Sequence, residues 1–467
     1  MEPLNKEARC QDTLRLEGAI LELDKEGLTI KTDQNTFTRR RICRIRYLHL
    51  LWAQTNVDEL TIQHARERKK IVEPTTRVFS LRNSATSSAR LGAWIQLLLH
   101  RAYGESKSRK KLKIFLNPCS GKGTAVKLYR KYAEPLFAAA QCQVDIQETS
   151  FSGHAGELVR EELEIDSWDA IVCCSGDGLP HEIINGLALR NDAGHILRKV
   201  PIVQLPGGSG NALCVNMFGT TSISLAALYT IKGVQHPVDL MSITQGDKRH
   251  ISFLSQNLGL LAECDLDTEG MRFLGGKRFE VGFLQRLLKP PIYECSLATY
   301  SASNQCSRES LNDHPCRQLQ EPNQQGLPNL QYGSVNDPVP DSWKLEHRET
   351  LGVFFAGKFP FVDATSKVFP GAKPNDGLLD ILTVDSGIGA RKLLQLLTKA
   401  ANGTHLTMPE TQYKKVSAYR VVPSRASGAF SVDGERFPIK PFQVEVHPQL
   451  GMTLTTPSIV ARQDANN

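Results

Sequence analysis

The sequence lacks the signals of several protein classes. None of its apolar runs reaches 18 residues, so no membrane-spanning helix is predicted. The opening MEPLNKEARC carries acids where a signal or transit peptide would carry bases. The 11 cysteines form no CxxC pair, which argues against a zinc site or a disulfide framework and favours reduced, intracellular thiols. Without an RNP signature or a zinc finger, no nucleic-acid partner is predicted.

Positive charge is concentrated near the N-terminus. The chain has a net charge of +7, and residues 1–110 hold 21 Lys or Arg against 13 Asp or Glu, so the remainder is about neutral. The densest cluster consists of Arg39, Arg40, Arg41, Arg44 and Arg46. Such a cluster predicts either contact with an anionic membrane or an ordinary solvated face, and the sequence leaves both open.

The patterning divides the 467 residues into three regions. Residues 1–108 are β-rich, with short strands over 14–50 and then an amphipathic helix with Ser88 as its N-cap, a pattern similar to pleckstrin-homology (PH) domains. After a basic linker (106–111), residues 109–235 alternate strands with helices, which predicts an α/β domain with a doubly wound parallel sheet. Residues 236–460 predict a mostly antiparallel β domain that binds the substrate, with a polar, disordered insertion over 301–342.

Three glycine-rich loops follow predicted parallel strands: NPCSGKG (117–123), SGDG (175–178) and PGGSGN (206–211). In an open α/β sheet the carboxyl ends of the strands border one crevice. Glycines allow close backbone approach and helix N-termini favour anions, so the set predicts a phosphate-rich ligand. A single loop of this kind would be read only as a tight turn.

The standard fingerprints do not fit these loops. Walker A would need glycine at Leu116, GxGxxG would need glycine at Leu213, and the GxSxG elbow would need glycine at Asn211. The predicted nucleotide site is therefore neither a P-loop nor a dinucleotide-binding turn, and a serine hydrolase is not supported.

Taken together, LNPCSGKG, SGDGLPHEIINGL and LPGGSGNAL resemble the sphingosine (sphingoid long-chain base) kinases of the diacylglycerol-kinase catalytic domain superfamily. AECDLDTEGMRFLGGKRF (262–279) and FSVDGERF (430–437) add two further matches, and the form GDGLxHE separates this branch from the GGDGT of diacylglycerol kinases. The resemblance covers about Lys111 to the C-terminus, except for the 301–342 insertion. It implies ATP- and Mg²⁺-dependent phosphorylation of the primary hydroxyl of sphingosine, dihydrosphingosine or phytosphingosine.

The resemblance also implies roles for individual residues. Asp177 would be the general base. The nucleotide-binding residues would be Asn117, Pro118, Cys119, Thr149, Gly153, Glu182, Gly208, Ser209, Gly210, Arg272, Arg278, Asp433, Gly434 and Glu435. The substrate-binding residues would be Ser175, Gly176, Gly178 and Asp265, where the carboxylate of Asp265 suits an ammonium group. Relatives often carry Arg or a third Gly near Cys119. Asp177 and Asp433 are candidate Mg²⁺ ligands, and the β domain would hold the acyl chain, with residues 283–293 and 353–364 as candidate walls.

Each assignment has a plainer alternative. Asp177 could cap its own helix, Asp265 could be a surface charge, Asp433 could belong to a hairpin turn, and His181 could be structural. Rival functions are a diacylglycerol or ceramide kinase, a soluble NAD or sugar kinase, and a catalytically silent lipid-binding adaptor. A lipid substrate predicts peripheral attachment at the cytoplasmic face of a membrane, and a homodimer is left open.

Overall fold

The computed structural model describes residues 12–32, 41–82, 86–121, 123–162, 164–267, 286, 291–301, 326–456 and 459. Predictions that concern Arg39, Arg40, Arg272, Arg278 and residues 302–325 therefore lie outside the described residues.

The N-terminal region forms two antiparallel sheets and one helix. The first sheet contains β1 (Thr13–Leu16), β2 (Ala19–Leu23), β3 (Gly27–Thr32) and β4 (Arg41–Arg46). The second contains β5 (Leu50–Thr55), β6 (Glu59–Arg68) and β7 (Ile71–Ser80), of which the sequence analysis assigned nothing beyond residue 50. Helix α1 (Ser88–Tyr103) is capped by Ser87, whose Oγ accepts from the Arg90 N–H; the predicted cap was therefore wrong by one residue.

A parallel sheet forms the α/β region, as predicted. Its strands are β8 (Lys111–Leu116), β9 (Gln143–Glu148), β10 (Ala170–Ser175) and β11 (Ile202–Pro206), in the spatial order β9-β8-β10-β11. Every residue of β10 and β11 is buried, which explains why both strands are apolar except for Ser175 and Gln204. Because all three pairings among these four strands are parallel, their carboxyl ends share one edge.

Short helices connect these strands. They are α2 (Ala125–Leu128), a π-helical turn (Tyr129–Ala133), α3 (Glu134–Ala139), α4 (His154–Glu161), α5 (Gly178–Ala188), α6 (Ala193–Lys199), α7 (Ala212–Phe218) and α8 (Ile223–Lys232). Among the described helices none alone has the length and apolar character to cross a membrane. The pair α7 and α8, bent by 55°, passes that test of length and composition only when the two are joined.

The C-terminal region is built on a large antiparallel sheet, again as predicted. In the described residues it has 11 strands: β12 (Val234–Gln245), β13 (Lys248–Ser252), β14 (Ser255–Gly259), β15 (Tyr293–Tyr300), β16 (Lys344–Gly357), β17 (Leu379–Asp385), β18 (Thr411–Val416), β19 (Ala418–Pro423), β20 (Phe430–Val432), β21 (Glu435–Phe437) and β22 (Phe442–Thr455). Two helices accompany it, α9 (Leu260–Leu266) and α10 (Ala390–Ala400). Alternate residues of β16 face different cores, since Phe354 and Val353 belong to separate apolar clusters.

The predicted disordered insertion is ordered over 326–342. The Glu445 carboxylate accepts the backbone N–H groups of Gln331 and Tyr332 at 2.9 and 3.1 Å. The guanidinium of Arg420 donates to the carbonyls of Ser334 and Asp337. Buried side chains of the sheet thus satisfy the backbone of this polar segment, which composition alone did not reveal.

The N-terminal region and the α/β region share one continuous apolar core. The Val72 N–H of β7 donates to Ser224 Oγ of α8 at 2.9 Å. Two residues of the predicted linker (106–111) are buried. The side chains of Ser106 and Lys110 both donate hydrogen bonds to the carbonyl of Ile231. The two regions are therefore packed together rather than loosely tethered.

Candidate active site

The three glycine-rich loops meet at the carboxyl edge of the parallel sheet. The Gly176 N–H donates to Ser120 Oγ at 3.0 Å, and the Gly207 N–H donates to the Ser175 carbonyl at 3.0 Å. Gly121 has φ +60°, and a Cβ there would lie 2.8 Å from the Gly207 carbonyl oxygen. Larger residues would separate these loops, so the glycines permit close backbone approach.

Asp177 lies at the centre of this junction but does not cap its own helix α5. Its Oδ2 accepts the Ala212 N–H at 3.0 Å, and its Oδ1 accepts the Leu213 N–H at 3.3 Å. Both donors belong to the first turn of α7, the helix that follows the third glycine loop. The Asp177 carboxylate therefore joins the second loop to the helix after the third.

Burial raises the pKa of Asp177 to about 6, against the opposing effect of the Ala212 and Leu213 N–H groups. The nearby Asp433 carboxylate also raises this pKa, although as a smaller contribution. A carboxylate with a pKa closer to neutrality is a stronger base than an ordinary aspartate, yet it remains mostly ionised at pH 7.

Glu182, one helical turn beyond Asp177 on α5, reaches a different helix N-terminus. Burial raises the pKa of Glu182 and outweighs the backbone N–H groups of Gly153 and Ala155 at the start of α4, which lower this pKa. In the described structure its buried Oε2 has no hydrogen-bond partner. The close crossing of α4 and α5 at Gly156 and Gly186 makes this reach possible.

Asp433 occupies a different environment from the one predicted for a nucleotide ligand. Its side chain is 0% exposed, and it accepts from Ser252 Oγ and from the N–H groups of Phe253, Leu254 and Ser255 at 2.6–3.1 Å. A fifth bond comes from His181 Nδ1 at 2.8 Å. A carboxylate offers about four lone-pair sites, so no capacity remains for a phosphate-bound ligand. The geometry gives Asp433 a structural role, the alternative left open by the sequence.

His181 connects α5 to the C-terminal sheet through this bond to Asp433. Burial lowers the pKa of His181, but the bond to Asp433 and its negative charge outweigh burial and leave the pKa raised. Asn185, one turn further along α5, exchanges two hydrogen bonds with the backbone of Ile251 at 2.8 and 2.9 Å. The helix that carries Asp177 is thus fixed against the β region by two side chains.

The turn that follows Asp433 lies close to the second glycine loop. Gly434 and Glu435 are exposed, and a Cβ on Gly178 would lie 2.9 Å from Glu435 Oε1. Arg436, next along β21, donates to Asp267 at the end of α9 at 2.8 Å. Asp265 lies in α9, although its side chain is not among the described parts of the chain. The hairpin β20–β21 therefore links α9 to the loop of Asp177.

The remaining predicted nucleotide residues surround the first two loops. Asn117 Oδ1 accepts the Cys119 N–H at 2.9 Å, and the thiol of Cys119 is exposed. Thr149 is buried, and Gly153 at φ +88° begins α4. Pro118 and Gly208 are half-buried and Ser209 is exposed, so these parts of the loops remain accessible. No group of three or more His, Cys, Asp or Glu that could hold a metal occurs in the described part of the chain.

Two residues of the site were missed by the sequence analysis. Gln204, in β11, donates from Nε2 to Asp177 Oδ1 at 3.1 Å. Asn211 closes the third loop by exchanging hydrogen bonds with Gly208. The sequence did contain a sign of Gln204, because a glutamine is unusual within an otherwise apolar strand and needs hydrogen-bond partners there.

Comparisons with known families agree with this architecture. The family described as the diacylglycerol kinase catalytic domain matches residues 111–243, the YegS C-terminal NAD kinase beta sandwich-like domain matches 349–454, and a domain of unknown function matches 8–104. A crystal structure of a Bacillus anthracis protein assigned as a diacylglycerol kinase aligns with a TM-score of 0.54 at 19% identity, over 76% of this chain and 98% of that one. Together these matches define the class of fold, that of the lipid kinases related to diacylglycerol kinase.

Sequence relatives narrow the class. The chain is 34% identical to sphingoid long chain base kinase 4 of Schizosaccharomyces pombe, over 77% of this chain and 78% of that protein. It is 32% identical to human sphingosine kinase 1, over 72% of this chain and 88% of that protein. Against sphingoid long chain base kinase 5 of Saccharomyces cerevisiae it is 32% identical over 77% of this chain, but spans 61% of that longer protein. The chain belongs to the sphingosine kinase family and is a lipid kinase of that family.

Proposed function

We propose that this protein transfers the γ-phosphate of ATP to the primary hydroxyl of a sphingoid base, with Asp177 as the general base. The observation that carries the proposal is the Asp177 carboxylate, which is held where three glycine loops meet and whose pKa is raised to about 6. Phosphoryl transfer depends mainly on positioning and charge stabilisation, and a fixed carboxylate beside glycine-rich loops would position the reacting hydroxyl.

The loops suit a nucleotide because their exposed backbone can approach phosphates closely. Ser209 is exposed on the third loop, and the N–H groups of such turns bind anions. The buried Oε2 of Glu182, which lacks a partner in the described structure, would suit a donor such as a ribose hydroxyl. Since the described residues contain no metal-binding cluster, Mg²⁺ would enter with the nucleotide, where it would neutralise phosphate charge.

The substrate side of the site would be α9 and its apolar surroundings. Leu260 and Cys264 on this helix pack in an apolar cluster with Val353 and Phe355 of β16. Asp265, on the same helix, would pair with the ammonium group of the base. A helix that carries both apolar and acidic residues would suit the two parts of a sphingoid base, its acyl chain and its ammonium group.

The decisive experiment measures phosphate transfer from labelled ATP with Mg²⁺ to sphingosine, dihydrosphingosine, phytosphingosine, ceramide and diacylglycerol in parallel. Product from the free bases alone is expected. Product mainly from ceramide or diacylglycerol would preserve the mechanism at Asp177 but overturn the role given to Asp265. No transfer to any lipid would favour the soluble-kinase or adaptor alternatives.

We further propose peripheral attachment to an anionic membrane at its cytoplasmic face through the N-terminal region, which is PH-like in its order of strands and helix. On β4 the exposed side chains Ile42, Arg44 and Arg46 alternate, which combines positive charge with one apolar contact. Deleting the region would expose the shared core, so the test is Ile42→Asp combined with Arg46→Glu in the full chain. Binding to phosphatidylserine vesicles should fall several-fold, and unchanged binding would refute the assignment.

A further inference from the structure

Gln204 is the least expected side chain near the site. It is 1% exposed, in the middle of β11, whose other residues are apolar. Both polar atoms of its amide form hydrogen bonds. Nε2 donates to Asp177 Oδ1 at 3.1 Å, and Oε1 accepts the Cys214 N–H of α7 at 2.9 Å. The side chain therefore lies between the Asp177 carboxylate and the helix that also binds that carboxylate.

We propose that Gln204 is the positioning residue of the catalytic aspartate, which fixes Oδ1 so that Oδ2 alone receives the proton of the substrate hydroxyl. The inference rests on the proposed function of Asp177 as general base.

The distribution of hydrogen bonds distinguishes the two oxygens. Oδ1 accepts from Gln204 and from the Leu213 N–H, which fills its two lone pairs. Among the described residues Oδ2 accepts only the Ala212 N–H, at 3.0 Å, which leaves one lone pair. The terminal torsion of an aspartate is soft, so without a second donor at the Oδ1 position the carboxylate plane could rotate and turn the remaining lone pair away from the loops. Gln204 supplies that donor.

The third glycine loop keeps Oδ2 accessible. A Cβ on Gly210 would lie 2.9 Å from Asp177 Oδ2, directly against the free oxygen. With glycine there, a hydroxyl can reach Oδ2 from the side of the loops. In the transfer the hydroxyl proton moves to Oδ2, the hydroxyl oxygen forms a bond to the γ-phosphorus, and the bond from that phosphorus to the bridging oxygen breaks to release ADP.

The bond from Gln204 also favours the ionised carboxylate. Among the described residues, the titratable groups that interact most strongly with the Asp177 charge are Asp433 from the β20–β21 turn and the Cys214 thiol from α7, and neither is a cation. The neutral donors therefore offset burial. Loss of the Gln204 donor should raise the pKa of Asp177, so that the base becomes protonated at higher pH.

The test is the pH dependence of kcat/KM for sphingosine in the full chain, with Gln204→Met and Gln204→Glu compared with the unmodified enzyme. Gln204→Met removes both hydrogen bonds at nearly constant volume. Gln204→Glu keeps an acceptor for the Cys214 N–H but places a second carboxyl against Oδ1. Gln443→Met is the matched control, because Gln443 is an equally buried glutamine whose amide bonds to Tyr332 and Gly333 in the C-terminal sheet.

The acid limb of the profile should move upward by about one pH unit in Gln204→Met and further in Gln204→Glu, with activity recovering at high pH. Carboxyl ¹³C NMR should report the same order of pKa values for the resonance that Asp177→Asn removes. The Gln443→Met profile should keep its midpoint. A uniform loss of rate at every pH, or an unmoved limb and carboxyl resonance, would overturn the inference. Activity retained in Asp177→Asn would instead overturn the proposed base itself, so the two failures are distinguishable.

Discussion

Two Asp-Gly turns of this protein, Asp177-Gly178 and Asp433-Gly434, have similar sequences and opposite surroundings. Asp433 has φ +52°, is buried, and accepts five hydrogen bonds from its neighbours. Asp177 accepts three, from Gln204, Ala212 and Leu213, and borders the open glycine loops. Both turns carry a recognisable sequence motif. The number of hydrogen bonds that each carboxylate accepts, compared with its lone pairs, is what distinguishes the proposed base Asp177 from the structural residue Asp433.

The largest effect should come from replacing the proposed general base. Asp177→Asn keeps an oxygen for the α7 N–H groups but cannot accept a proton, so kcat should fall about 10²- to 10⁴-fold. ATP binding, measured by calorimetry, should remain nearly unchanged. If Asp177→Asn turned over sphingosine at close to the normal rate, Asp177 would belong with Asp433 among the anchors.

The next effect concerns stability rather than rate. Asp433→Ala leaves four buried donors and His181 without an acceptor, so it should cost on the order of 3–5 kcal/mol of unfolding free energy. Denaturant unfolding measures this loss. Asp363→Ala is the control, because Asp363 accepts from Thr365 and Ser366 in a partly exposed turn and should cost about 1 kcal/mol. An equal loss of unfolding free energy in Asp433→Ala and Asp363→Ala would contradict the structural role given to Asp433.

A change beside Asp177 should affect rate while leaving the fold intact. Gly210→Ala places a methyl group against Oδ2 and should lower kcat by about one to two orders of magnitude. Gly92→Ala in α1 meets nothing within 4 Å and should leave the rate unchanged while slightly stabilising the helix. A normal kcat in Gly210→Ala would show that substrate does not approach Oδ2 from this side.

The smallest effect concerns the bond between His181 and Asp433. Because the folded-state pKa of His181 is raised, its stabilisation is fully present below its unfolded pKa and is lost as pH rises through the folded pKa. Unfolding free energy should fall by on the order of 1 kcal/mol across that window and show no such fall in His181→Gln. An identical pH dependence in both proteins would mean that His181 stays neutral.

Patterning predicted the parallel sheet, the antiparallel sheet and the three loops because each depends on local periodicity and turn residues. The second N-terminal sheet was missed since β7 alternates poorly, with mostly exposed residues from Glu73 onward. Lys110 and the segment 326–342 were misjudged because polar sequences give no sign of the buried partners that will satisfy them. Gln204 was missed for the same reason, because its partners Asp177 and Cys214 are distant from it in the sequence.

The shared core of the N-terminal and α/β regions has a consequence for how this protein melts. Lys232 is buried at that boundary, where its side-chain nitrogen lies 3.5 Å from the centre of the Tyr103 ring and donates to the Ala102 carbonyl. Burial lowers the pKa of Lys232 well below its ordinary value, and helix α1 supplies both of these contacts. On heating or proteolysis, the described parts of residues 12–232 should therefore unfold as one cooperative unit. The first strands should unfold together with the glycine-rich loops rather than before them.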